Sequence, residues 1–195
     1  MKPVAAALSA ILWAGPLLAA PMTRLERQHL VAHLEMTESW LVDEVSGLTP
    51  AQLQFRSAPG AWSILENLDH LVVCEPIYWQ DLQKALKTPL GDRRRNDSDD
   101  SVLWYGIDRT GRAPAVAAEM PSGRLRDVET GLAAFRKLRA KTLEYAKTTN
   151  DDLRGHFVER EQSDAYQWLL LISTHSQRHI LQIREVKSDP KFPKK

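Results

Sequence analysis

The chain has 195 residues, 43% hydrophobic and 26% charged, with 26 basic and 25 acidic side chains and a formal net charge of +1. That is the composition of one soluble domain with enough chain to bury a core. The balanced charge leaves no footprint for nucleic acid or another polyanion, and a lone cysteine, Cys74, excludes an intramolecular disulfide.

Residues 1–20 read as an export signal. Lys2 precedes an apolar and small-residue run, and Gly15-Pro16 leads into Leu17-Leu18-Ala19-Ala20. The run is shorter than the ~20 apolar residues of a membrane span, and Pro16 interrupts it. A periplasmic or secreted protein is therefore expected, with its domain over 21–195 and no stable membrane span. An uncleaved N-terminal anchor is the alternative.

A first long helix is predicted over 24–46, with Leu30, Leu34, Trp40, Leu41 and Val45 on its apolar stripe. A short helical turn follows, because Thr49 is a good N-cap, Pro50 suits the first helical position and Gln52 completes the capping pattern. The second long helix is predicted over 63–87, opened by the Ser63–Glu66 capping box, with Pro76 as a site of bending or splitting. Cys74 on this mostly apolar helix reads as core filling.

Residues 89–123 are polar, charged and rich in Gly and Pro, and read as a long excursion pinned to the body by Trp104-Tyr105. Loops of this length are often functional, so a lid over a pocket and a passive surface segment are both open readings. Arg93-Arg94-Arg95 is followed by Asp97, Asp99 and Asp100, the pattern of a solvated loop. A third helix is predicted over 125–147. A fourth begins near Ser163 or Asp164 and runs to about 187. Strand signals are nearly absent, and four long helices make a helical bundle the natural architecture.

Six histidines are present: His29, His33, His70, His156, His175 and His179. His175 and His179 share the stripe Trp168, Ile172, His175, His179, Gln182, Val186 at steps of three and four, so they sit one turn apart on a face that begins apolar. Imidazoles aimed into a core need partners, and a pair at this spacing is well placed to share a metal ion. His29 and His33 have the same spacing but lie on a polar flank near the N-terminus, where surface chemistry is the simpler reading. His156 reads as a surface or hinge residue. His70, in ILENLDHLVV, is the strongest third ligand from another helix. Three neutral imidazoles plus an open position suit zinc, and nickel, iron or cobalt accept the same donors. Core histidines satisfied by hydrogen bonds are the competing reading.

PGAWSILENLDHLVVCE and DAYQWLLLISTHSQRHILQIREVK resemble the DinB-like superfamily, which includes the YfiT-type metal-dependent hydrolases. The first carries the Trp-Ser entry to the second helix and its His-Leu step. The second carries the HxxxH-I-x-Q-I final helix. With the LTPAQL turn, the resemblance spans about 24–187. It implies an all-α, four-helix bundle of up-down-down-up topology, with the long crossover between helices two and three at 89–123. It also implies a three-histidine metal site on His70, His175 and His179, and a homodimer. The export signal and the long charged crossover depart from the family pattern.

A metal-dependent hydrolase or thiol-type transferase acting on a small molecule is the first expectation. A non-catalytic exported metal-binding or structural bundle is the alternative, and a bundle whose histidines bind nothing is the third. No general base is evident. Glu66 is taken by its cap, and Asp69 is turned about 100° away from His70 on the helix.

Overall fold

The computed structural model describes residues 20–91, 98–111, 115–161 and 163–194, so residues 1–19 of the predicted leader and the Arg93-Arg94-Arg95 run lie outside the described residues. Local capping chemistry sets the helix starts. Helix α1 (Arg24–Val45) opens on a Thr23–Glu26 capping box, and the short α2 (Pro50–Gln54) on the predicted Thr49–Gln52 box with Pro50 at the first position. Helix α3 (Ile64–Ala85) opens on the Ser63–Glu66 box and passes Pro76 as one helix. Pro76 and the residue four before it, Val72, lie on the part-exposed flank, where water can meet the carbonyl that loses its helical donor. Helix α5 (Val128–Thr148) starts three residues later than the periodicity predicts, because Asp127 caps it. For α6 (Ala165–Lys187) the cap is Asp164, in a reciprocal box with Gln167.

Contacts between the long helices fix their directions. Tyr166 reaches Glu26, Ser173 reaches His33 and Lys187 reaches Glu44, so α1 and α6 run parallel. Arg139 meets Glu75, and Gly131 lies against Leu68, so α3 and α5 run parallel. Arg27 holds the carbonyls of Ala146 and Thr149, and Arg139 donates to the carbonyl of Leu34, so α1 opposes α5. Trp168 donates to the carbonyl of Tyr78 while His179 meets Asn67, so α3 opposes α6. The bundle is up-down-down-up, and α3 and α5, being parallel, require a long crossover.

That crossover is more structured than a polar excursion. It contains α4 (Asp99–Ile107) and a 3-10 turn at Ala117–Glu119. Trp104 does not pin it, being 63% exposed. Val102 and Leu103 pack on the core instead, and Gly106 lies against α6. A Cβ there would sit 2.8 Å from Gln177 Oε1 and 3.0 Å from Thr174 Cβ, so glycine permits the close crossing. Nine residues make a helix of marginal intrinsic stability, so this one depends on its tertiary contacts. Its ends are tied to the body. Arg154 grips Asp99 at 2.7 Å together with Glu26 and Asp164, and Arg178 donates to the carbonyls of Tyr105, Asp108 and Gly111.

The only strands among the described residues are β1 (Phe157–Val158) and β2 (Ser163–Asp164), an antiparallel pair leading into α6. Two apolar clusters fill the bundle. One holds Leu30, Leu34, Leu82, Trp168 and Leu169. The other holds Leu41, Leu68, Phe135, Ile180 and Ile183. Between them on every long helix lies a polar position: Thr37, Glu75, Arg139 and Ser176, all buried. No described helix is long and apolar enough to cross a membrane.

Candidate metal centre

At the level of that polar layer, α3 and α6 face each other through imidazoles. His70 comes from α3, and His175 and His179 from α6, with exposures of 2%, 6% and 8%. Their Nε2 atoms converge: His70 to His175 is 3.1 Å, and His179 to His175 is 3.2 Å. One ligand atom from each histidine falls within 4.8 Å of the others. The structure thus assembles the trio expected from the sequence. His29 is exposed, and His33 is engaged elsewhere, its Nδ1 lying 2.7 Å from Ser173 Oγ. His156 stands apart on the approach to β1, with Nδ1 buried and without a hydrogen-bond partner among the described residues.

The outward nitrogens settle the tautomers. His70 Nδ1 lies 2.5 Å from the carbonyl oxygen of Glu119, which can only accept, so Nδ1 carries the proton. His179 Nδ1 lies 2.9 Å from Asn67 Oδ1, and Asn67 in turn donates to the carbonyl of Ser63, which fixes its amide. Neutral His70 and His179 therefore present bare Nε2 lone pairs to the interior. His175 Nε2 stands between them and can offer one proton, enough for one neighbour only. Among the described residues the other donor in reach is the weakly donating Cys74 thiol, 3.6 Å from His70 Nε2, so at least one of the two lone pairs lacks a strong donor. Burial, reinforced by the neighbouring histidines and arginines, pushes His175 and His179 well below the usual imidazole range, and burial lowers His70 too. Protonation is thus a poor remedy for the crowding, whereas a cation shared by the three lone pairs resolves it. This donor set fits a divalent transition metal.

The surroundings hold the rings. Trp62 stacks on His179 with centroids 5.8 Å apart and 20° between planes, and lies 4.7 Å from His70. Tyr78 tilts against His175 at 5.2 Å. Cys74 Sγ lies 3.5 Å from His70 Nδ1, buried, and burial pushes its thiol up, away from thiolate. Core filling describes it. Asp69 points elsewhere, accepting from Ser122 and from the Gly123 amide at 2.7 Å, and Glu66 is spent on its cap and on Arg56.

Above the trio opens a cavity of about 960 Å³ whose walls include Tyr105, Arg109, Val116, Glu119 and Met120 from the crossover. Arg178, Gln182 and Glu185 of α6 complete one side and Arg160 another. Periodicity could have found Arg178, which lies three residues beyond His175 on the same face. Trp62 is marked only by the Trp-Ser entry motif, and the crossover residues carry no local signal, since only the chain's path brings them to the mouth.

The family model described as the DinB superfamily matches residues 29–183. The chain belongs to the DinB superfamily. It is 27% identical over 157 residues to the uncharacterized protein YuaE of Bacillus subtilis, covering 77% of this chain and 91% of the relative. Among solved structures it is similar to YfiT from Bacillus subtilis, described as a probable metal-dependent hydrolase with an unusual four-helix bundle topology. The TM-score is 0.58 at 17% identity, covering 85% of this chain and 88% of YfiT. At that identity the likeness shows the fold, and the DinB fold here carries its histidine trio at the base of an open cavity.

Proposed function

We propose that this DinB-superfamily protein is a metal-dependent enzyme, a hydrolase in the first place and a thiol-type transferase in the second, with His70, His175 and His179 holding zinc, nickel or iron. The observation that carries this reading is the convergence of three buried Nε2 atoms that share one N–H proton among them, beneath a cavity sized for a small molecule. The description of YfiT as a probable metal-dependent hydrolase supports it. Once bound, the metal supplies a Lewis acid facing the cavity.

The chain's own residues define the rest. Glu119 and Asn67 keep the Nδ1 protons of His70 and His179 pointed outward, so the Nε2 lone pairs stay available. Trp62 and Tyr78 hold the ring planes. Glu119 also offers the cavity a carboxylate, held by Arg160, which makes it the general-base candidate that the sequence alone does not reveal. The apolar leader extends the proposal to an exported enzyme, a point decided by the N-terminus of protein recovered from fractionated cells.

Elemental analysis of untagged protein beside His175→Ala tests the centre. About one equivalent of transition metal per chain, lost in the variant, is the expected result. No metal in either, even after reconstitution with zinc, nickel and iron, sinks the proposal.

A further inference from the structure

The charges around the cavity do not cancel. Arg109, Arg160 and Arg178 line it against Glu119 and Glu185, with the histidines neutral. Two of the arginines are neutralised locally. Arg109 grips both oxygens of Glu185 through Nε and Nη2 at 2.8 and 2.9 Å, and Arg160 pairs with Glu119 and approaches Asp81. Arg178 differs. Its Nη1 donates to the carbonyls of Tyr105 and Asp108, its Nη2 to that of Gly111, and its guanidinium lies over the Tyr105 ring at 5.0 Å. Carbonyls orient a guanidinium without cancelling its charge. Among the described residues no carboxylate forms an ion pair with Arg178; that of Asp108 feels its charge but is turned onto Thr110, and the Arg178 Nε–H and second Nη2–H meet no acceptor there.

Those two nitrogens form the same edge that Arg109 uses on Glu185, the edge that matches the two oxygens of a carboxylate or phosphate. Arg178 is one residue from His179 and three from His175, on the face of α6 that lines the cavity. The remaining walls supply apolar surface, from Trp62, Val102, Val116, Met120 and Leu171.

We infer that the cavity takes an anionic small molecule with an apolar body, its oxyanion held by the Nε/Nη2 edge of Arg178 and its body against the crossover wall. This rests on the reading of the cavity as the substrate site. It adds the substrate's charge and names the residue that reads it. Because Arg178 also ties down the end of α4, an occupied cavity has its mouth held at the same guanidinium.

The test uses two fluorescent probes of similar shape, anionic 8-anilinonaphthalene-1-sulfonate and neutral N-phenyl-1-naphthylamine. Both are titrated into the full protein as isolated and after EDTA treatment. The sulfonate should bind the wild type, and Arg178→Gln should weaken it about tenfold, the loss of a bidentate charge-assisted contact. The neutral probe should change less than about twofold, since the variant removes no apolar contact. 1-Naphthoate should displace the sulfonate far better than 1-naphthamide. Equal losses for both probes would make Arg178 a strut for α4 and overturn the inference, as would an unchanged sulfonate affinity. Should Arg178→Gln fail to fold, Arg178→Lys carries the test, keeping the charge but losing the fork, with weakened sulfonate binding expected and unchanged binding overturning. Metal stoichiometry separates the two readings. An Arg178 response in protein that binds none of zinc, nickel and iron leaves this inference standing and removes the enzyme proposal, and metal binding without an Arg178 response does the reverse.

Discussion

The bundle buries two polar centres at one level, and they are built on opposite principles. Around Arg139, which is 0% exposed, every donor has an acceptor: Nε and Nη2 on Glu75, Nη2 on Ser176, and Nη1 on Thr37 and the carbonyl of Leu34. All four long helices contribute, so this centre fixes their register. The histidine centre is drawn from two helices, and its Nε2 atoms meet one another and, at His70, the weakly donating Cys74 thiol at 3.6 Å. One centre already holds a cation whose five N–H groups are all met, with Glu75 Oε2 left over, and the other is short of a cation. Burial alone therefore does not separate a structural polar cluster from a functional one; the count of donors against acceptors does.

Breaking each centre should give opposite stability phenotypes. Removing Arg139 strands Glu75, whose Oε2 already lacks a partner and whose carboxyl burial pushes upward against the pull of Arg139. Arg139→Ala should cost about 3–5 kcal/mol, the usual penalty for an orphaned buried charge, and the double change Arg139→Leu with Glu75→Leu should recover much of it. Urea melts of the EDTA-treated protein check both. His175→Ala in the same metal-free background should cost less than about 1 kcal/mol, because the two lone pairs it leaves face a cavity whose water can donate in its place. If His175→Ala proved as costly as Arg139→Ala, the contrast between the centres would collapse.

A finer change sharpens the comparison. Asn67 touches no other histidine nitrogen than His179 Nδ1, at 2.9 Å, and acts only through that ring. Asn67→Ala should lower metal affinity about 10–100-fold by freeing the tautomer, with His70 and His175 intact. Competition against a chromogenic zinc chelator measures it. An unchanged affinity would show that Trp62 stacking alone orients the ring.

Much of this is legible in the sequence, for local reasons. Capping boxes at Thr49, Ser63 and Asp164 announce helix starts because they act within one turn. The stripe from Trp168 to Val186 shows which face α6 buries, so spacing alone places His175 and His179 together on the inward side. His70 requires a partner helix to be chosen, and resemblance strengthens that choice. What stays hidden is non-local. Ser98 caps α4 and Asp99 and Asp100 fill its first turn, but so short a helix owes its stability to Gly106 meeting α6 and to ties to Arg154 and Arg178. The Arg139 centre is equally invisible. An arginine amid Lys137, Arg136 and Lys141 looks solvated until the fold shows which turn faces inward.

The smallest expected effect concerns pH, and it too divides the centres. In metal-free protein His175 and His179 are held well below the usual imidazole range by burial and by neighbouring positive charge. In the unfolded chain they titrate near the ordinary value of about 6.5, so below it the unfolded state binds more protons than the folded state. Stability from keeping these rings neutral is therefore fully present above about pH 6.5 and drains away as pH falls. The Tm of EDTA-treated protein should drop by several degrees between about pH 7 and 5, and a double change of His175 and His179 to Gln should flatten that slope. Bound metal should flatten it as well, down to the pH at which protons compete the metal off. Arg139→Ala should leave the histidine part of the slope in place, because Arg139 is the lesser of the influences on His175, behind burial and His70. A slope that survived the double histidine change intact would assign it to the carboxylates and leave the neutral, lone-pair-rich centre without support.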